Sequence, residues 1–166
     1  MTVNRTRGAI AAAAFAGLVL AVPAGTAFQR AAGAQQAAGG RKAIRPPKAP
    51  NTGLPFSPGI LAGNTLYVSG TLGRDPVSAR LAPGGIEGET RQSLANIRDV
   101  LRDAGMDFKD VVSVTAFITD FKDFDKFNAV YREYFTTTDP PARATVQVAA
   151  LNLGARVELQ MIAVKP

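Results

Sequence analysis

The chain has 166 residues, 46% of them hydrophobic and 19% charged, enough for one domain with its own core. It holds no cysteine and no histidine, which excludes a Cys/His zinc site, a disulfide, and Ser-His-Asp or Cys-His nucleophile systems, leaving Asp, Glu, Lys, Tyr and bound water to move protons. The net charge is +6, yet residues 51–166 carry twelve basic and thirteen acidic groups, a net of −1, so the domain lacks the positive field that drives nucleic-acid backbone binding.

In chain order, Arg5 and Arg7 precede an apolar run from Gly8 to Val22, and Ala24, Gly25, Thr26 and Ala27 follow it. That layout predicts a signal peptide over residues 1–27, cleaved after Ala27, and export to the periplasm or the medium. The alternative is an uncleaved anchor, but the run has 15 residues, short of the roughly 20 that span a bilayer. A flexible Ala/Gly/Gln-rich linker is expected over 28–43 and the folded domain over 44–166. Pro46, Pro47, Pro50, Pro55 and Pro58 make the entry extended and turn-rich.

Leu66–Ser69 reads as a short strand ended by Gly70, and Gly73–Gly85 as a loop or hairpin. Leu94, Ile97, Leu101 and Ala104 share one face of a helix over 90–104, with Gly105 as its stop. Residues 111–119 form a strand apolar on both sides, as a strand covered on both faces would be. Phe124, Phe127, Tyr131 and Tyr134 mark a second helix over 124–135. Pro140 and Pro141 lead into a strand over 142–149, and a last strand over 156–164 buries Val157, Leu159, Met161 and Ala163. The order predicts an α+β fold with helices on one face of a mixed sheet.

The candidate functional residues are few. Glu158 lies on the polar side of the last strand, and Arg143 opens the strand before it. By pattern alone both read as surface charges, although a guanidinium fork can grip a carboxylate through two parallel hydrogen bonds. Asn128 is a poor residue for a helix interior, and Gly70 after Ser69 would let a ligand approach the backbone.

Several separate blocks in one order resemble the RidA (YjgF) family: Leu66-Tyr67-Val68-Ser69-Gly70, Arg91 to Ile97, Asp123-Phe124 through Asn128 to Tyr131, Pro141-Ala142-Arg143-Ala144-Thr145, and Val157-Glu158 with Ile162-Ala163-Val164. The resemblance runs from about Asn51 to Val164. It implies a chorismate-mutase-like domain that assembles as a homotrimer, with ligand sites in the clefts between subunits. It implies hydrolysis of small 2-imino or enamine acids to 2-oxo acids and ammonia, without metal or organic cofactor. No nucleic-acid partner is implied, and no membrane contact beyond the signal peptide. In that frame Arg143 grips the substrate carboxylate, Glu158 positions water, Thr145 assists, and Ser69, Gly70, Asn128 and Phe56 complete the substrate site. Phe56 stands where the family has a tyrosine and Thr145 where it has a cysteine. Those two departures favour an alternative, a trimer of the same fold that binds a small carboxylate without turning it over.

Overall fold

The alternation read in the last strand organises the whole domain. Val157, Leu159, Met161 and Ala163 are each no more than 1% exposed, while Glu158, Gln160 and Ile162 between them are not buried. In the computed structural model, which describes residues 40–49 and 53–165, a six-stranded sheet runs in the order β1-β2-β3-β6-β4-β5. The strands are β1 (Lys42–Ile44), β2 (Gly59–Ala62), β3 (Thr65–Leu72), β4 (Val111–Ile118), β5 (Ala142–Gln147) and β6 (Val157–Val164). Neighbours are antiparallel except β4 and β5, which are parallel. A parallel pair needs a crossover, and the helix α2 (Phe124–Arg132) supplies it.

The second helix of the expected pair, α1 (Gly85–Asp103), packs on the same side. Its Leu94, Ile97 and Leu101 meet Phe127 and Val130 of α2 and the inward residues of β3, β4 and β6 in one apolar cluster. Each fully buried side chain of this size contributes about 1.5–3 kcal/mol of transfer free energy. The helix starts earlier than the Thr90 expected because Ile86, 3% exposed, extends the apolar face by one turn. The Thr90 hydroxyl also donates back to the Ile86 carbonyl at 2.6 Å. The second helix ends at Arg132 rather than Phe135, because its last turn tightens: Glu133 N–H donates to the Val130 carbonyl and Tyr134 N–H to that of Tyr131.

Two strands went unanticipated. Lys42 and Ala43, assigned to a linker over 28–43, belong to β1, where Ala43 pairs with Ile60 and Ile44 is 1% exposed. This correction moves the domain boundary to before Lys42; residues 28–39 of that linker lie outside the described residues, as do residues 1–27, where the signal peptide was expected. No helix among the described residues is long and apolar enough to cross a membrane.

A second correction concerns β4. Only one of its faces is covered within a single chain. Val114, Ala116 and Ile118 are buried, whereas Val112 is 48% exposed and Phe117 is only partly buried. The register places Val146, Phe117, Glu158 and Leu72 in one row across the uncovered face, and Ile60, Tyr67 and Ile162 in another.

Candidate active site

The site begins with an irregularity in β3. Val68 pairs with Met161 and Thr71 with Leu159, so Ser69 and Gly70 together oppose the single residue Gln160. This bulge re-aims the strand beside Glu158. Gly70 leaves room for the carboxylate there, since a Cβ on it would stand 1.8 Å from Oε1 of Glu158. The carboxylate therefore lies against the bare backbone of the bulge. It has no hydrogen-bond partner among the described residues, and partial burial raises it above the ordinary glutamate range. A carboxylate held so is disposed to accept a proton.

Ser69 pins the segment in front of this carboxylate. Its N–H donates to the Pro58 carbonyl at 3.0 Å and its hydroxyl to the Ser57 carbonyl at 2.7 Å. Those bonds fix the chain that carries Phe56. Phe56, Ser69, Gly70 and Glu158 line one cleft of about 680 Å³.

The other three expected residues gather elsewhere. Arg143 sits on β5, an edge strand, with its guanidinium 4.5 Å from the centre of the Tyr131 ring and 5.4 Å from that of Phe127. Two aromatic faces of α2 thus hold the cation by cation–π attraction while it stays exposed. Burial pushes the Tyr131 phenol up to about 12, against the pull of the Arg143 charge, so the ring platform stays neutral. Thr145 lies two positions along β5 on the same side, half-buried. Asn128 is 9% exposed on α2, and its side chain has no hydrogen-bond partner among the described residues.

Within one chain Arg143 and Glu158 do not share a pocket. β4 lies between their strands. Arg143 aligns with Val114, which faces the helices, and Glu158 aligns with Phe117, which faces away from them. Two strand spacings and three residues of offset separate the two backbones by ~14 Å. The expected site lies in a cleft between subunits, and a single chain does not bring the pair together. The seven residues form two groups, one in the cleft and one on the edge of β5 and α2.

Sequence reasoning missed the residues that support the cleft. Arg156 donates its N–H to buried Glu89 at 2.7 Å and its guanidinium to Asp123 at 2.9 and 2.6 Å, which anchors β6 two residues before Glu158. Asn96 of α1 donates to the carbonyls of Leu72 and Arg74 and holds the end of β3. Lys48, Arg74 and Asp99 also line the cleft. Only proximity marks them, so no sequence signal could have found them. Among the described residues no cluster of His, Cys, Asp or Glu could hold a metal ion.

Comparison with known proteins fixes the class. Residues 46–165 match the family described as Endoribonuclease L-PSP, and the chain belongs to it, the RidA/YjgF family. The chain is 47% identical over 125 residues to the 2-iminobutanoate/2-iminopropanoate deaminase of Bos taurus, covering 75% of this chain and 90% of that protein. It is 41% identical to the human protein of the same name, with the same coverage. The solved structure of the YjgF gene product of E. coli, 33% identical, superposes with a TM-score of 0.70 over 75% of this chain and 99% of that one. The fold is accordingly that of the RidA/YjgF proteins, and relatives at this level of identity support imine deamination as the family's activity. The family match lies within the domain, and neither the structure nor the relatives indicate a signal peptide or secretion. An Arg-led, Ala-rich run is a compositional signal only, and both expectations are withdrawn.

Proposed function

We propose that the chain hydrolyses small 2-imino and enamine acids to 2-oxo acids and ammonia, at a site completed between copies of itself. The observation that carries this reading is the Glu158 carboxylate, raised by burial and without a hydrogen-bond partner among the described residues, lying over the Gly70 backbone in an otherwise apolar row. Arg143, in the second group, is free to grip a carboxylate brought to it by a neighbouring copy. The uncovered sheet face, with Tyr67 50%, Val112 48% and Val146 43% exposed, offers the apolar surface that assembly as a homotrimer would bury.

The chemistry uses only groups the chain has. Arg143 of one copy holds the substrate carboxylate through its fork. Glu158 of the neighbour accepts a proton from water as the water oxygen bonds to C2 of the protonated imine. The carbinolamine then collapses: the proton held by Glu158 passes to nitrogen, the C2–N bond breaks as the hydroxyl gives its proton back to the Glu158 carboxylate, and ammonia leaves a 2-oxo acid. The Gly70 N–H and the Thr145 hydroxyl hold the water or the nitrogen, Asn128 stands beside the carboxylate grip, and Phe56 walls the cleft. The RNA cleavage in the family's description finds less support here, because residues 51–166 have a net charge of −1 and the chain has no histidine.

Phe56 and Thr145 favour one rival, a binder of the same shape without turnover. Both readings are separated by one experiment on the full chain, with imines generated by an amino-acid oxidase and trapped by semicarbazide. Arg143→Ala and Glu158→Gln are each expected to be inactive. Unfolded together and refolded into mixed assemblies, they regain activity, because some interfaces then pair an intact Arg143 with an intact Glu158. Turnover by neither the unaltered chain nor the mixture sinks the deaminase reading. Activity in the unaltered chain without rescue in the mixture sinks the shared site.

A further inference from the structure

Besides Glu158, the cleft holds three charged side chains, Lys48, Arg74 and Asp99, so apart from the reacting carboxylate it has one positive charge in excess. Lys48 and Arg74 have no carboxylate partner among the described residues; the ion pairs there join Arg91 to Glu133 and Arg156 to Asp123. An unpaired arginine in a concave site is unlike one on an open surface, where water and salt screen it.

Arg74 is also held in place. It follows β3 by two residues, and the backbone between is clamped onto α1. A Cβ on Gly73 would stand 2.2 Å from the Glu89 carbonyl oxygen, so the chain can run there only without a side chain. Asn96 donates to the Leu72 carbonyl at 3.2 Å and to the Arg74 carbonyl at 2.9 Å. On the side chain, Nε donates to the Ala79 carbonyl at 2.7 Å. The terminal nitrogens make no hydrogen bond to any described residue. One edge of the guanidinium is thus fixed and the other open, which lowers the ordering cost of binding an anion.

The size of the cleft points the same way. A space of about 680 Å³ lies in the range that takes ligands of drug size, and a four-carbon imino acid fills a small part of it. Most of the wall is apolar, with Leu54, Pro58, Leu72 and Val100 among its residues. Polar recognition beyond Glu158 therefore falls to few groups, and the cations are prominent among them.

We propose that Arg74, assisted by Lys48, forms a second anion-binding position in this cleft, which selects imino acids whose side chain ends in a carboxylate, the 2-imino dicarboxylates. This rests on the deaminase reading and names its substrate class. Arg143 of the neighbouring copy holds the carboxylate next to C2, and Arg74 holds the distal one. The bonds made and broken are those of the simple imines: water oxygen joins C2, the C2–N bond breaks, and ammonia leaves a 2-oxo dicarboxylate. The distal carboxylate is a spectator that aligns C2 with Glu158.

The test compares 2-iminoglutarate with 2-iminobutanoate, both generated in place by oxidation of the matching amino acids and trapped with semicarbazide. The full chain is assayed beside Arg74→Gln, whose amide can still donate to the Ala79 carbonyl. The unaltered chain is expected to have the higher kcat/KM for 2-iminoglutarate. In Arg74→Gln the ratio of the two kcat/KM values is expected to fall about tenfold or more, as loss of a charge-assisted contact implies. A general folding defect lowers both values together and leaves their ratio alone. Calorimetric binding of 2-oxoglutarate and 2-oxobutanoate gives a readout independent of turnover. An unchanged ratio in Arg74→Gln, with 2-iminobutanoate still hydrolysed, overturns the second anion position and leaves the deaminase reading standing. No turnover of either imine, with tighter binding of 2-oxoglutarate that Arg74→Gln abolishes, removes the deaminase reading and keeps the anion position. Failure of both turnover and the binding preference overturns both.

Discussion

Replacing Gly70 by alanine tests the geometry of the site more sharply than removing a catalytic group. The new methyl would stand 1.8 Å from Oε1 and 2.9 Å from Cδ of Glu158, so the carboxylate must retreat by more than about 1 Å to reach even a 3.0 Å contact. What it meets is the far end of a flexible side chain, and Gly70 is not among the residues with positive φ, so alanine brings no backbone strain of its own. Gly→Ala at a compatible site stabilises by about 0.4–1 kcal/mol through the unfolded state, which offsets the cost of moving Glu158. The midpoint of urea unfolding is thus expected to move little. Catalysis is another matter, because a 1 Å misplacement of a reacting group costs on the order of 10²-fold. The expected outcome is a fall of about that size in kcat/KM for imine hydrolysis, with a fold indistinguishable by circular dichroism. Adding Gly70→Ala to Glu158→Gln should cost little more, since both act on one carboxylate. Full activity in Gly70→Ala, alongside an inactive Glu158→Gln, would refute the claim that the carboxylate works from its place over the bulge.

Glu158→Gln itself should lower kcat/KM by about 10²–10⁴-fold. Because burial raises the Glu158 pKa, the acid limb of the pH–rate profile should lie above the ordinary glutamate range; a limb at or below that range counts against Glu158 as the base. The same raised value favours the protonated form in the fold, so this contribution to stability is present at low pH and is lost as pH rises through the folded pKa. Glu158→Gln should therefore gain stability relative to the unaltered chain at neutral pH and not at acid pH, as followed by thermal unfolding. Val146→Asp places a charge in the uncovered row beside Phe117 and should give monomers by light scattering, with loss of turnover but an intact fold. Leu159→Ala, at a site with no exposure, should cost about 2–5 kcal/mol in urea unfolding through the cavity it leaves.

The fold was legible where one chain's own core dictates the pattern. The four inward residues of β6 and the stripe Leu94, Ile97, Leu101 of α1 repeat at the periods of their elements, and all are buried. β1 and β2 were not legible, since Lys42–Ile44 and Gly59–Ala62 are too short to show a period and become strands only by pairing with one another and with β3. The double apolar pattern of β4 was read as two covered faces, and a single chain covers one. That discrepancy carries information about the protein, since Val112, Tyr67 and Val146 stay exposed where sequence composition calls for burial.

The functional residues follow the same logic. Their identities came from separate blocks of resemblance, but their placement could not, because alternation says which side of its own strand a residue takes and nothing of which strand lies between. The sheet order puts β4 between β5 and β6, and Val114 and Phe117 then send Arg143 and Glu158 to opposite sides. One chain thus presents a proton acceptor in its cleft without Arg143 beside it, and Arg143 on its edge without a proton acceptor. Neither half explains itself alone. An exposed guanidinium held over two rings is ordered at an entropic cost with no ion pair among the described residues to offset it, and a raised carboxylate in an apolar row destabilises the chain at neutral pH. Both costs become intelligible if the uncovered face is where copies meet and each brings the half that the other lacks.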